Sequence, residues 1–306
     1  MSYSSPGRQL QSLLTFLCMA LLLAGGARAH PGEVELDYRL RPDRDLTAKT
    51  LTDAVTTLRV LQDRGVVAKS NGRLSAQPTT IRITESQTLH YLTGGEQADG
   101  SFTAVIRFIE KTGSIKTMDG RELDLAGNLP FKALHIVATV ESSGKVRDDA
   151  VRVFGVDAAM ADMLRPMMAV VISKVASIEP IWLSRDLSVP QEFSMQMPIA
   201  GKVALNFRMT ISNRLLSVDD GVARIQQFHE VTFGAPSGAV MLSAEGSGSG
   251  MLLYEVATRA LLSSESQTLM KSVLDTPDGV IEVQVNGKQS QSMRPTREEA
   301  RSTDKN

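Results

Sequence analysis

Most of the chain after residue 33 alternates apolar and polar residues, and turn-forming residues interrupt the alternation about every 8 to 15 positions. A period of two is typical of strands that bury one face and expose the other. The clearest predicted strands are Val34–Leu40, Ala133–Val140, Leu205–Ile211, Ala223–Val231 and Val280–Val285. The pattern therefore predicts a mainly β protein whose antiparallel strands are joined by short turns.

One segment, Asp157–Ile178, instead places its apolar residues at helical spacing. Asp157 is a suitable N-cap, so the predicted helix begins directly after it. Pro166 lacks a backbone N–H, and we expect either a kink there or two helices that meet at this residue. Because Met167–Ile172 is apolar on every side, we expect protein to enclose this part of the helix.

The segments before and after this helix resemble each other. Asp99-Gly100 and Asp220-Gly221 each open a predicted strand, and each is followed after a similar interval by a pair of small residues, Ala126-Gly127 and Gly246-Ser247. This spacing indicates either a weak internal duplication or chance, since Asp-Gly pairs are common in hairpins. We therefore expect a mainly β (α+β) fold, a strongly curved antiparallel sheet or half-barrel of two β-meander halves around a central apolar helix.

Residues 1–29 have the composition of a secretory signal peptide. A weakly positive start precedes an apolar run shorter than the roughly 20 residues of a membrane-spanning helix. Ala27-Arg28-Ala29 then supplies the small residues that a signal peptidase requires before His30. Cys18 permits a lipoprotein interpretation, but Leu17 precedes it where lipoprotein processing needs a small residue. We expect cleavage between Ala29 and His30 and export to the periplasm or beyond; lipidation and an uncleaved anchor are the alternatives.

The remaining chain divides simply. Residues 30–293 form one predicted β-rich domain that includes the helical segment 157–178, and residues 294–306 form a predicted disordered tail without large apolar residues. The whole chain has 33 Lys+Arg against 34 Asp+Glu and only 5% aromatic residues, a balance that is not typical of nucleic-acid binding. Its single cysteine lies in the signal peptide, so cleavage leaves neither a thiol nor a disulfide.

The sequence contains no recognisable catalytic set. Its four histidines, His30, His90, His135 and His229, lack the short ligand spacing of zinc sites. Ser142-Ser143-Gly144-Lys145 matches the S-x-x-K motif formally, but it lies at a predicted hairpin tip rather than at a helix start. We therefore expect a non-enzymatic protein without metal or cofactor, and a hydrolase with an unrecognised site is the alternative.

The methionine-rich helix is the segment that best suggests binding, because flexible methionine side chains accept apolar partners of varied shape. The candidate ligand-binding residues lie on this helix and on strands expected to face it: Met160, Met163, Met167, Met168, Met195, Met197 and Phe207. The alternative interpretation is that the helix simply fills the core of the curved sheet.

The order of the segments resembles a family of exported bacterial β-rich proteins known mainly as a domain of unknown function. The resemblance rests on the signal peptide, the central helix, Pro180-Ile181-Trp182, and Gly246–Gly250 followed by Tyr254. Where that family has a Gly-Asp-x-Trp element, this chain has Ser184-Arg185-Asp186-Leu187. The resemblance spans about Val34–Met293 and implies no activity. In architecture, the expected sheet is also similar to the open half-barrels that carry lipoproteins or lipids across the periplasm.

These features predict an exported protein of the bacterial cell envelope that binds a lipid or another apolar ligand, or an envelope protein. A structural or assembly role through a sheet edge is the second hypothesis. We expect no nucleic-acid partner, and no integral membrane segment after cleavage.

Overall fold

A computed structural model describes residues 29–30, 33–37, 39–69, 77–117, 120, 122–124, 134–199, 203–237 and 240–296. The predicted signal peptide, apart from Ala29, lies outside the described residues, as does the predicted tail after Thr296. None of the described helices is long and apolar enough to span a membrane.

The described elements are mostly long strands. In chain order the strands are β1 (Ala29–His30), β2 (Glu33–Leu36), β3 (Asp45–Asp63), β4 (Thr79–Thr93), β5 (Phe102–Thr117), β6 (Glu122–Asp124), β7 (His135–Val140), β8 (Val151–Phe154), β9 (Ile181–Ser184), β10 (Val189–Ile199), β11 (Val203–Asp219), β12 (Val222–Ser237), β13 (Val240–Glu255), β14 (Ala260–Thr276) and β15 (Gly279–Pro295). The helices are α1 (Val66–Lys69) and α2 (Ala158–Ala176), and a short 3-10 turn spans Asp148–Ala150.

One large antiparallel sheet contains most of these strands, in the order β10-β11-β12-β13-β14-β15-β3-β4-β5-β7-β8, with β6 paired to β5. The chain therefore forms two meanders, one before and one after α2, which meet where β15 pairs with β3. This arrangement confirms the predicted mainly β class and the two β-meander halves. Among the described residues the sheet is open, and β10 and β8 are its edge strands.

Helix α2 lies between the two edges of the sheet. It contacts β8 and β7 on one side and β10 on the other. Because a helix with its side chains is about 10–12 Å across, both edges must curl toward it, so the sheet is strongly curved. The Asp157 carboxylate caps the helix as predicted, accepting a hydrogen bond of 2.8 Å from the Met160 N–H.

Pro166 does not divide the helix, so of the two alternatives expected there, the pair of helices was wrong and the kink stays a prediction. α2 runs unbroken from Ala158 to Ala176 with Pro166 in its interior. The proline removes one hydrogen bond of the helix, but the next residues, Met167 and Met168, are 5% and 1% exposed. Burial of this apolar stretch holds the helix together across the missing bond.

Three other boundaries differ from the prediction. The first predicted strand ends at Leu36, because the Asp37 carboxylate accepts a hydrogen bond from the Arg39 backbone N–H and turns the chain. This strand, β2, pairs with β1 and β9 in a separate three-stranded sheet. The predicted hairpin tip at residues 142–145 does not lead directly into a strand, because β8 begins only at Val151. β15 extends two residues into the predicted tail, where Arg294 and Pro295 pair with Thr47 and Leu46 of β3.

Candidate functional site

The inner face of the large sheet is the face that packs against α2. Along β11 the buried side chains alternate with exposed ones, and the buried ones on this face are Phe207, Met209, Ile211, Asn213 and Leu215. Strand pairing then identifies the inner positions of every neighbouring strand, because directly opposed residues share a face. Read in this way, the inner face consists of three zones.

The first zone is the main core, a continuous cluster of buried apolar residues around α2. Four of the predicted ligand-binding residues belong to it, namely Met167, Met168, Met195 and Phe207, all 7% exposed or less. Met160 and Met163 are partly buried against it. Met197 lies on β10 where the side chains are outside the described part. The structure thus brings six of the seven residues together, and their role in ligand binding stays a prediction.

The second zone is the polar belt, a band of polar side chains across the middle of the inner face. Two neighbouring rows form it on β14, β15, β3, β4 and β5. The first row is Ser264, Gln291, Thr50, Gln87 and Lys111, and the second is Ser266, Gln289, Thr52 and Glu85, next to Gly113. On β11 and β12 the belt continues with Asn213, Gln227 and His229.

Several members of the polar belt pair with one another. Lys111 Nζ lies 2.9 Å from Glu85 Oε1, and these side chains are only 10% and 12% exposed. Gln227 Nε2 donates to Asn213 Oδ1 at 3.0 Å. His229 Nε2 and Thr268 Oγ1 are 2.9 Å apart, and burial lowers the pKa of this histidine below its usual value.

Other polar atoms at this level have no hydrogen-bond partner among the described residues. Gln291 is 2% exposed, and neither its Nε2 nor its Oε1 has a partner. The same is true of Gln289 Nε2 in the belt and of Thr56 Oγ1, which lies opposite Val285 of the next zone. Sequence reasoning missed Gln289 and Gln291 because they lie beyond Val285, where the predicted strand ends. The alternation of side chains along a strand identifies them, because Gln289 and Gln291 lie on the same face as Val285 and Met293.

The third zone is the apolar patch, which on β15, β3, β4 and β5 lies on the opposite side of the polar belt from the main core. Its buried members are Ala54, Ile83, Ile115 and Ile281, each 4–9% exposed, and none belongs to the main core cluster. The half-buried side chains on the same face around them are Leu58, Val60, Ile81, Val283 and Val285.

Glycines at the level of the belt allow close contact between neighbouring strands. A Cβ on Gly248 would lie 2.3 Å from the Gln267 carbonyl oxygen and 2.4 Å from His229 Nε2. A Cβ on Gly113 would lie 2.4 Å from the Thr84 carbonyl oxygen. Neighbouring backbones therefore approach closely at both glycines.

A concavity of about 780 Å³ crosses six neighbouring strands at the same level. Outer-face side chains form most of its lining, including Asp53, Glu265, Lys288 and Gln267. Gln289 of the polar belt also borders it, whereas Gln291 does not. At its edge, Arg82 Nη2 lies 2.6 Å from Asp53 Oδ2. None of the predicted methionine or phenylalanine residues lines this concavity.

His90, His135 and His229, the histidines whose side chains the structure describes, do not converge. His90 contacts Asp45 at 2.7 Å, and the His135 ring stacks on Phe154 with centroids 4.6 Å apart. His229 lies in the polar belt. No group of three or more possible metal-ligating side chains occurs within the described ranges.

No protein-family model matches the sequence, and no curated protein matches it. The resemblance to a domain-of-unknown-function family therefore has no matching family model to support it. A structure described as lipid–protein interactions in lipovitellin is similar to 83% of this chain, with 9% identity and a TM-score of 0.40. This chain spans 26% of that lipovitellin chain.

The structure of OpdQ from Pseudomonas aeruginosa is similar over 82% of this chain and 98% of that chain, with 7% identity and a TM-score of 0.21. Neither likeness is close enough to bear on function.

Proposed function

We propose that this protein is an exported, non-enzymatic component of the cell envelope that binds an apolar ligand on the inner face of its curved sheet. The observation that carries the proposal is the apolar patch. Along β15, β3, β4 and β5 the polar belt separates it from the main core, whereas on β14 Met270, directly opposite Val285, packs against the main core.

Element lengths support this proposal. Strands β3, β11, β14 and β15 contain 17–19 residues, so each spans roughly 55–65 Å at about 3.3 Å per residue. Helix α2 contains 19 residues and is therefore about 28 Å long. The helix covers no more than about half of the inner face. The apolar patch is thus a surface that α2 does not need for its own packing.

Three of the ionisable groups with shifted pKa values belong to the fold rather than to the apolar patch. Burial raises the pKa values of Tyr91 and Tyr254, whose side chains are 4% and 1% exposed. Asp37 is 0% exposed and is paired with two arginines. Tyr91 and Tyr254 belong to the main core, and Asp37 lies between the two sheets, so these groups maintain the fold.

Export is part of the same proposal. It is supported by the signal-peptide composition of residues 1–29. Expression of the full chain in a bacterium, followed by fractionation and N-terminal sequencing, tests it directly. We expect His30 as the first residue of the exported form, and recovery of uncleaved chain in the cytoplasm would contradict export.

Binding is tested with delipidated protein and a pyrene-labelled monoacylglycerol, read by fluorescence. We expect saturable binding that weakens at least tenfold in Ile83→Glu. A carboxylate in the apolar patch either loses its water when the acyl chain of the probe binds, which is unfavourable, or keeps its water and excludes the acyl chain. Val285→Glu makes the same change at a half-buried position, in case Ile83→Glu does not fold. The matched control is Ile109→Glu, since Ile109 is 57% exposed, and it should bind as the wild type does.

Two outcomes would contradict the proposal. One is the absence of both probe binding and lipid that co-purifies with the protein. The other is equal binding by the patch variants and the control. A stoichiometric protein partner without lipid would instead favour attachment through the edge strand β10.

A further inference from the structure

We infer that the ligand is amphipathic: its apolar chain lies along the apolar patch, and an uncharged hydrogen-bonding head group reaches Gln291 and Gln289 in the polar belt. This inference rests on the proposed function and adds the chemical class of the ligand.

The starting observation is the unpartnered amide of Gln291. A side chain that is 2% exposed normally has partners for its polar atoms, because an amide removed from water without hydrogen bonds is destabilising. Here both Nε2 and Oε1 lack a partner among the described residues, and Gln289 Nε2 two residues earlier lacks one as well. Two neighbouring side chains thus offer both a donor and an acceptor on the inner face. A ligand that carries hydroxyl, ester or amide groups would supply the hydrogen bonds that these two amides lack.

Strand register connects these amides to the apolar patch. Toward the start of β15, the inner-face positions next to Gln289 are Gly287 and then Val285. Gln289 and Val285 are about 13 Å apart along the strand. A Cβ on Gly287 would meet only the Ala54 methyl, at 3.5 Å, so this part of the face has small side chains on both strands. A chain that starts at Gln289 can therefore pass over Gly287 and Ala54 to reach the patch.

The nearby charges favour a neutral head group. Glu85 and Lys111 are the charged side chains of the belt rows, and they pair with each other at 2.9 Å. The pair has no net charge, so it offers little attraction for either a carboxylate or an ammonium group. A charged head group would also have to be desolvated without a counter-ion, whereas an uncharged one needs only the hydrogen bonds that the two glutamines provide.

The test compares two probes that have the same chain and different head groups, 1-monopalmitoylglycerol and palmitate at pH 8. Each is titrated, below its critical micelle concentration, as a competitor of the pyrene-labelled probe bound to the exported form of the protein. We expect the neutral probe to bind about tenfold more tightly. In Gln291→Leu this preference should fall to about threefold or less, while palmitate affinity changes less than twofold. Gln289→Leu provides the second variant.

The matched control is Gln267→Leu, because Gln267 is exposed on the outer face of β14 and lines the outer concavity. It should keep the full preference for the neutral probe. Loss of the preference in Gln267→Leu, with Gln291→Leu unaffected, would place the head group outside the sheet and overturn the inference. Equal binding of both probes to the wild type would also overturn it while leaving the proposed function intact. If neither probe binds, the proposed function itself fails.

Discussion

Replacing Asp37 with asparagine should destabilise the protein at neutral pH, because two arginines share this buried carboxylate. Asp37 is 0% exposed and lies between β2 of the small sheet and β3 of the large one. Arg39 donates to it from Nε at 3.0 Å and from Nη2 at 2.7 Å, and Arg41 donates from Nη2. The carboxylate thus fixes the segment that connects the two sheets.

The size of the effect follows from these contacts. A hydrogen bond to a charged group contributes about 1.5–3 kcal/mol. Arg39 and Arg41 are 40% and 26% exposed, so water screens part of each interaction and resolvates the arginines once the charge is lost. Asparagine keeps the shape and one acceptor oxygen. We therefore expect Asp37→Asn to lower the free energy of unfolding by about 2–3 kcal/mol at pH 7.

The pH dependence has a definite sign. Burial raises the pKa of Asp37, but the hydrogen bonds from Arg39 and Arg41 outweigh it and hold the pKa below its usual value. The stabilisation is therefore fully present above the unfolded-state pKa of about 3.9, and it is lost as the pH falls through the lower folded-state pKa. The difference between wild type and Asp37→Asn should be constant from pH 7 to about pH 5 and should shrink toward pH 3.

Urea unfolding followed by circular dichroism at several pH values measures this difference. Asp53→Asn is the control, because Asp53 forms an ion pair with Arg82 on the exposed face and should contribute less. The reasoning is refuted if Asp37→Asn costs no more than Asp53→Asn, or if its cost at pH 3 equals its cost at pH 7.

Three further substitutions test the packing. Gly248→Ala should lower stability by about 1–3 kcal/mol, because its Cβ would overlap the Gln267 carbonyl and the His229 ring; a thermal midpoint equal to wild type would contradict this. Pro166→Ala should raise stability by about 1–2 kcal/mol in urea unfolding, since it restores a helix donor, and a decrease would show that the proline is favourable there. Phe207→Ala should cost about 3–5 kcal/mol because Phe207 is 3% exposed, and a loss below about 1 kcal/mol would mean that this part of the main core is loosely packed.

The sequence predicted the fold class and the helix well because both depend on local periodicity. The Asp157 cap and the apolar spacing after it are visible within one helical segment. Strand lengths were predicted less well, since the strand expected at Leu205–Ile211 in fact extends from Val203 to Asp219. The alternation fades at Asn213, which is polar and yet 0% exposed. Its partner Gln227 lies on the next strand, so no local pattern shows that this position is buried.

The candidate site was predictable only in part. The methionines of α2 and β10 were identified because apolar residues at regular spacing indicate a buried face. The polar belt was not identified, since a polar residue at an inner position gives the same sequence pattern as a strand end. Its recognition depends on pairing between β15 and β3, whose residues are more than 200 positions apart in sequence.

The polar belt between the main core and the apolar patch does not follow from folding stability alone. An apolar side chain of similar size at Gln291 would remove two unpartnered buried atoms, and each such group costs about 1–3 kcal/mol. Gln291→Leu should therefore unfold at a higher urea concentration than the wild type. Side chains that lower the stability of a protein are expected at positions that its function requires. If Gln291→Leu is instead less stable, the amide has a structural partner, and the polar belt would belong to the fold rather than to a ligand site.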